Sequence, residues 1–222
     1  MQCIVTAGPT YEPLDKVRRL TNFSTGTLGS ELVTFLTARG HDTTLLIGEQ
    51  SSYRGERHAR QVETFTTTAN LRDRLHALAS QTVDAVFHTA AVGDFAFGKV
   101  WRWAPEGDLE EMQTGKISTR QGTLLAELTP TPKIIAELRQ WFPRARLVGW
   151  KYEVEGGRPN VIQLAQRQII ECRTDACVAN GAAYGQGFGL VKAGGEYSHL
   201  PDAATLFASL EEFIREERDV RR

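Results

Sequence analysis

The strongest constraint on the fold is an alternation along the chain. Short apolar, β-branched runs are separated by segments whose apolar residues recur with a helical period. Alternation of this kind makes a parallel sheet with crossover helices. The near-continuous apolar character of the runs CIVTA, TTLLI and DAVFHTAA is what strands covered on both faces require. Strands are expected at 3–7, 43–47, 62–66, 85–89, 146–150 and 175–179, and helices at 27–39, 69–80, 132–142, 161–172 and 203–217. The third helix has Thr131 as N-cap, Pro132 in its first turn, and Ile134, Ile135 and Leu138 as its apolar stripe. Residues 188–191 and 196–199, separated by Lys192-Ala-Gly-Gly195, read as a closing β-hairpin.

Bulk properties narrow the class. A chain of 222 residues suits one α/β domain over residues 1–222, and 41% hydrophobic with 24% charged residues is ordinary globular composition. A net charge of -1 gives no basic surplus for nucleic acid. No apolar run approaches the roughly 18 residues of a membrane span, and the first residues, MQCIVTAGPT, lack the regions of a signal peptide. Neither a nucleic-acid nor a membrane partner is expected. Cys3, Cys172 and Cys177 lack metal or disulfide spacing and read as buried apolar residues, which fits a cytoplasmic protein. The five histidines have no metal-ligand spacing, and His88, within a buried strand, reads as a hydrogen-bonded core residue. Gly185-Gln-Gly-Phe-Gly189 precedes a strand and reads as a turn. Glu211, Glu212, Glu216 and Glu217 read as the solvated face of the last helix.

Two segments break the alternation. Residues 8–26 are far longer than the usual ~2–6-residue strand-to-helix connection. Residues 95–122 are rich in Gly, Glu and Trp without a clean period and are expected to form a flap or dimerisation segment. Long loops at the carboxyl ends of parallel strands commonly carry ligand sites. The first loop ends in Asn22-Phe-Ser-Thr-Gly-Thr-Leu-Gly29, opening a helix whose unpaired N–H groups suit an anion. Ser24 and Thr25 add hydroxyls, Gly26 and Gly29 allow close approach, and Arg18 and Arg19 add charge. The same residues also suit a plain helix cap, glycine packing and solvated arginines. A P-loop is excluded, and a compact dinucleotide turn is missing.

Thr6-Ala-Gly-Pro-Thr10, Glu12-Pro-Leu-Asp15, Val17-Arg18 and Asn22-Phe-Ser-Thr-Gly26 together resemble the opening of the phosphopantothenoylcysteine synthetase (phosphopantothenate–cysteine ligase) family. Ala90-Ala-Val-Gly-Asp94-Phe95, Lys116-Ile-Ser118, Thr131-Pro-Lys-Ile-Ile135, Val148-Gly-Trp-Lys151, Asp175 and Val178-Ala-Asn180 continue the similarity in order, over roughly residues 3 to 215. The likeness is to the free-standing form rather than the one fused to a flavin-dependent decarboxylase. It implies a Rossmann-like α/β fold, a mostly parallel sheet with helices on both faces, in a homodimer. It also implies a ligase of coenzyme A biosynthesis that joins 4′-phosphopantothenate and cysteine through an acyl-nucleotidyl intermediate, using CTP or ATP with Mg²⁺. The alternative is a non-catalytic or regulatory nucleotide-binding protein of the same fold.

Carried over position by position, the resemblance assigns catalysis to Asn22, Lys116 and Arg18, with Asn22 holding the intermediate and Lys116 reaching from the flap. Gly8, Ser24, Thr25, Gly26, Asp94, Lys116, Trp150, Lys151 and Asn180 fall to the nucleotide, and Asn22, Arg18, Ala90 and Ala91 to the substrate. No protein side chain is assigned to the metal. Several roles keep a second reading: Asn22 as an N-cap, Arg18 and Lys116 as surface cations, Ala90 and Ala91 as packing residues, and Trp150 as a core aromatic. The chain departs from the family pattern at Pro9, where a glycine is usual, at Trp150, usually phenylalanine, and at Gly181, usually aspartate. Gln168 and Cys172 stand where fused bacterial members carry lysines, for which Lys151 offers a substitute.

Overall fold

The computed structural model describes all residues except 105–106, 113–116, 119–121 and 217–222. Its centre is an eight-stranded sheet in the order β13-β12-β11-β10-β6-β1-β4-β5. The strands are β1 (Gln2–Ala7), β4 (Asp42–Gly48), β5 (Gln61–Phe65), β6 (Ala85–His88), β10 (Arg146–Tyr152), β11 (Ala176–Asn180), β12 (Phe188–Lys192) and β13 (Tyr197–Leu200). Six run parallel, and β12 and β13 close the edge as the antiparallel hairpin expected. Five of the six residues of β1 and all four of β6 are buried, which explains the unbroken apolar runs, since both faces of these central strands are covered.

Alternate residues of each strand enter opposite layers. Val5, Leu45, Phe87 and Val178 pack against α1 (Thr27–Ala38) and α5 (Ala203–Arg215) through Leu32, Leu36, Leu206 and Leu210. Ile4, Leu46 and Val86 face α2 (Thr68–Leu78) and α3 (Ile134–Trp141) through Leu71, Leu75, Ile134 and Leu138. Cys177 and Ala179 face α4 (Arg158–Cys172) through Val161 and Ala165. All three cysteines are buried free thiols. No helix among the described residues is long and apolar enough to cross a membrane.

The structure corrects several readings. Thr131 is not the cap of α3: its N–H donates to the Asp94 carbonyl and its hydroxyl to the Gly93 carbonyl, and Lys133 stands at the N-cap position. Glu211 is buried rather than solvated, because its carboxylate lies between His41, 3.3 Å away, and Arg215. The loop after β1 contains a small hairpin, β2 (Tyr11–Pro13) with β3 (Arg19–Thr21). The aperiodic segment belongs to a three-stranded antiparallel sheet of β7 (Phe95–Trp103), β8 (Leu109–Glu111) and β9 (Leu124–Pro130), extending past residue 122.

Candidate active site at the sheet's switch point

After β1 the chain crosses to β4 on one side, and β6 lies on the other side of β1, so strand order reverses at the β1/β6 boundary. Ligands of open parallel sheets sit at the carboxyl ends of such strands. Here the ladder is carried on by an isolated parallel bridge between Pro9 and Ala91. The Ala91 N–H donates to the Gly8 carbonyl at 3.0 Å, and the Thr10 N–H to the Ala91 carbonyl at 3.1 Å. The missing N–H of Pro9 therefore costs the ladder nothing, since Gly8 and Thr10 supply its bonds. The Asn22 amide nitrogen donates to the same Ala91 carbonyl at 3.2 Å.

Two threonines hold this junction. The Thr6 hydroxyl accepts from the Ala90 N–H at 3.2 Å and meets His88 Nδ1 at 3.0 Å. The Thr10 hydroxyl accepts from the Gly93 N–H at 2.8 Å and meets Thr68 Oγ1 at 3.2 Å. His88 is thus the hydrogen-bonded core residue expected, and burial pushes its imidazole down to about 4. Glu12 is also buried, its carboxylate accepting the Thr68 N–H at 2.9 Å at the start of α2.

Gly8 and Gly26 have φ of 76° and 77°. A Cβ on Gly26 would lie 3.2 Å from the Gly8 nitrogen and 2.5 Å from Ser51 Oγ, so the two glycine turns and the end of β4 close on one another. Gly26, not Asn22, Ser24 or Thr25, is the N-cap of α1, and it provides no side-chain cap. Thr25 Oγ1 accepts from the Thr27 N–H at 3.3 Å, while the Thr25 carbonyl accepts from Ser51 Oγ at 2.6 Å and the Tyr53 N–H at 3.0 Å. Neither Asn22 nor Ser24 stands at the N-cap, the Thr25 hydroxyl takes the first N–H of the helix, and the partial positive charge of the helix end is kept.

Gly8, Asn22, Ser24, Thr25, Gly26, Ala90 and Ala91 thus come together at one junction, and the exposed Asp94 lies three residues on. Trp150, Lys151 and Asn180 lie toward the carboxyl ends of β10 and β11, on the other side of β6 from β1. Trp150 packs against the α1/α5 layer, its buried Nε1 having no partner among the described residues. Lys151, on the opposite face, pairs with Glu153 at 2.9 Å. The Asn180 carbonyl accepts the Glu153 N–H, while its buried Oδ1 has no partner among the described residues. Arg19 lies over the Tyr11 ring at 4.7 Å and 3.7 Å from Glu49. Lys116 lies outside the described residues.

Arg18 is half-exposed but tied into the loop. Its Nε donates to Asp15 Oδ2 at 3.0 Å and its Nη2 to the Ile117 carbonyl at 2.7 Å. The guanidinium holds the Asp15 carboxyl far below the usual carboxylate range, helped by the N–H groups of Val17, Ile117 and Arg18. Thr6, Thr10, Glu12 and Asp15 stand within the family-like motifs without a role of their own there, and nothing in the sequence marks Ser51. A carboxylate three residues before an arginine in a loop was the available signal for Asp15.

Residues 1–195 match the family described as DNA/pantothenate metabolism flavoprotein C-terminal domain. The chain is 33% identical over 181 residues to the coenzyme A biosynthesis bifunctional protein CoaBC of Thermococcus kodakarensis, covering 80% of this chain and 40% of that protein. It spans about two fifths of the length of the curated relatives it matches. A DNA/pantothenate metabolism flavoprotein from Streptococcus pneumoniae shares the fold with a TM-score of 0.85 at 23% identity, covering 97% of this chain and 98% of that one. A Cab2 variant in complex with phosphopantothenate-cysteine superposes with a TM-score of 0.71 at 18% identity, covering 96% of this chain and 84% of that one. Matched over most of its length, the chain belongs to the DNA/pantothenate metabolism flavoprotein C-terminal domain family, the phosphopantothenoylcysteine synthetase family that its motifs resemble.

Proposed function

We propose that the chain is a ligase that activates the carboxylate of 4′-phosphopantothenate with a nucleoside triphosphate, CTP or ATP, and joins it to the amine of cysteine. The observation that carries this reading is the junction at Ala91, where one carbonyl receives both the Thr10 N–H and the Asn22 amide, beside two left-handed glycine turns and a helix start with glycine at its N-cap. In the first step a carboxylate oxygen attacks the α-phosphorus, the bond to the β-phosphate breaks, and pyrophosphate leaves. In the second, the cysteine nitrogen attacks the acyl carbon, the bond to the nucleotide breaks, and the nucleoside monophosphate and a proton leave.

The chain's part is to place and screen these groups. The α1 start and the backbone at Gly8 and Gly26 supply N–H groups and room for phosphate oxygens. The Asn22 amide is fixed by Ala91 through one N–H, which leaves its oxygen and second N–H for a mixed anhydride, and it has no nucleophilic atom to attack that anhydride. Lys116 is assigned charge stabilisation, Asp94 the ribose or base, and Trp150, Lys151 and Asn180 the outer part of the nucleotide site. Magnesium is expected to accompany the triphosphate. Among the described residues no group of three His, Cys, Asp or Glu side chains is placed to hold it, so phosphate oxygens would carry it.

The β7–β8–β9 sheet is assigned to homodimerisation on its exposed Phe95, Trp103, Leu109 and Leu128. The activity is tested by pyrophosphate release with 4′-phosphopantothenate, cysteine, Mg²⁺ and either CTP or ATP. Turnover that requires both acyl and amine substrates supports the ligase; binding of nucleotide without turnover supports the non-catalytic alternative.

A further inference from the structure

Trp150 and Asn180 each bury a polar atom that no described residue satisfies: the indole Nε1–H and the amide Oδ1. An indole N–H can only donate and an amide oxygen can only accept, so a change of protonation relieves neither. Buried groups without partners are costly and rare in folded proteins, and a bound ligand is one means of satisfying them.

Strand order brings the two atoms to one place. Trp150 pairs with Val178, and Tyr152 with Asn180, in the β10/β11 ladder. Trp150 and Asn180 are therefore diagonal neighbours on one face, the face that carries Val178 toward α1 and α5. Ala179 pairs with Gly189 across β11 and β12, so Phe188 stands one rung further, beside Asn180 and on the same face as Leu190. The Asn180 amide is thus flanked by aromatic residues of β10 and β12, and both rings are only partly buried on the core beneath them. A planar ligand edge offering one donor and one acceptor suits this set. In the sheet β11 stands three strands from β1, about 14 Å at the usual spacing. An extended nucleoside triphosphate spans that distance with its phosphates at Gly8 and Gly26.

We propose that Trp150, Asn180 and Phe188 form the nucleobase seat and set which base is accepted. The indole N–H donates to a ring nitrogen, Asn180 Oδ1 accepts from the neighbouring exocyclic amino group, and Phe188 lies against the ring. This rests on the ligase reading and deepens it, and it leaves the ribose to Asp94. Cytosine and adenine carry that order of groups. Uracil and guanine reverse it: a ring N–H would meet the indole N–H, and a carbonyl oxygen would meet Oδ1. The wrong base is refused because it leaves buried polar groups opposed and unpaired, which discriminates more strongly than the loss of an apolar contact. The donor is this chain's own, since tryptophan stands where the family usually has phenylalanine and a phenyl ring has no N–H.

The test measures binding to the full chain by calorimetry, with Mg²⁺ and no acyl substrate, for CTP, ATP, UTP, GTP and inorganic tripolyphosphate. CTP or ATP is expected to bind about 10-fold tighter than UTP and GTP, or more. Trp150→Phe keeps a ring and removes the N–H. It is expected to weaken the favoured nucleotide on the order of 10-fold, the scale of one hydrogen bond, and to leave tripolyphosphate unchanged. Asn180→Leu is expected to narrow the gap to UTP and GTP by a similar factor. UTP or GTP bound as tightly as CTP and ATP, parent-like affinity in Trp150→Phe, or an equal loss for tripolyphosphate would each overturn the proposal. So would a parent that binds no nucleotide. If CTP or ATP binds with this preference but no pyrophosphate is released, the ligase reading falls alone. If turnover proceeds alike with all four nucleotides, the seat falls and the ligase reading stands. Should Asn180→Leu not fold, Trp150→Phe carries the decision.

Discussion

Replacing Gly181 with alanine adds one methyl group at a place where the backbone leaves no room for it. Gly181 has φ of 110°, a conformation that L-residues rarely adopt. A Cβ there would lie 2.3 Å from the Glu153 carbonyl oxygen and 2.8 Å from the Glu153 nitrogen. Glu153 is itself fixed, its N–H donating to the Asn180 carbonyl and its carbonyl accepting the Ala183 N–H, both at 3.0 Å. The substitution must therefore strain the backbone, at about 1–3 kcal/mol, and displace Glu153, at about 1 kcal/mol for each hydrogen bond given up. A total of about 3–5 kcal/mol corresponds to a fall in Tm of roughly 6–20 °C for a chain of this size. Thermal unfolding of Gly181→Ala and Gly181→Asp, followed by circular dichroism, measures it. Aspartate, the residue the family usually carries here, is expected to be no better tolerated than alanine. A Tm for Gly181→Ala within about 2 °C of the parent would refute the steric argument, and the departure from the family pattern would then need another cause.

Asn22→Asp replaces the N–H donor facing the Ala91 carbonyl with a carboxylate oxygen. Product formation is expected to fall on the order of 100-fold, the scale of losing one fixed polar contact in a transition state, while nucleotide affinity measured by calorimetry changes far less; equal losses would remove the intermediate-holding role. His88 is held neutral by burial, about 4 against an ordinary value of 6.5, so the unfolded chain binds a proton there in acid before the folded one does. That contribution is complete above the unfolded value and is lost as pH falls toward the folded one. About 2 kcal/mol should disappear between pH 7 and pH 5 in urea unfolding, and His88→Gln should show a correspondingly weaker dependence. Leu128→Lys on the exposed face of the arm sheet is expected to shift sedimentation equilibrium from dimer to monomer; a parent that is already monomeric would remove the dimer proposal.

Much of the framework was legible because strands covered on both faces must be apolar without interruption. Six parallel strands, five helices and the closing hairpin follow from that pattern and from helical periodicity, with ends shifted by a few residues. The turn at 185–189 was legible from its glycines, two of which have positive φ. The short strands β2 and β3 were not, because three-residue strands are too brief to show a period. The arm sheet was missed for a different reason. It has one covered face at most, and a register shift between Phe97 and Val100 breaks its alternation.

Local motifs by themselves determined the parallel α/β class, the location of the first loop as the place to search, and the family the chain resembles. Tertiary structure alone decided what individual side chains do there. Thr131 looked like a cap but serves Gly93 and Asp94 across the junction, and Glu211 looked solvated but is enclosed with His41 and Arg215. Asn22 meets Ala91 across 69 positions, and Arg18 meets Ile117 across 99. Periodicity reports only how a residue relates to neighbours a few positions away. A hydrogen bond depends on direction and on distances of about 3 Å, and between remote segments those are set only when the strands take their order in the sheet.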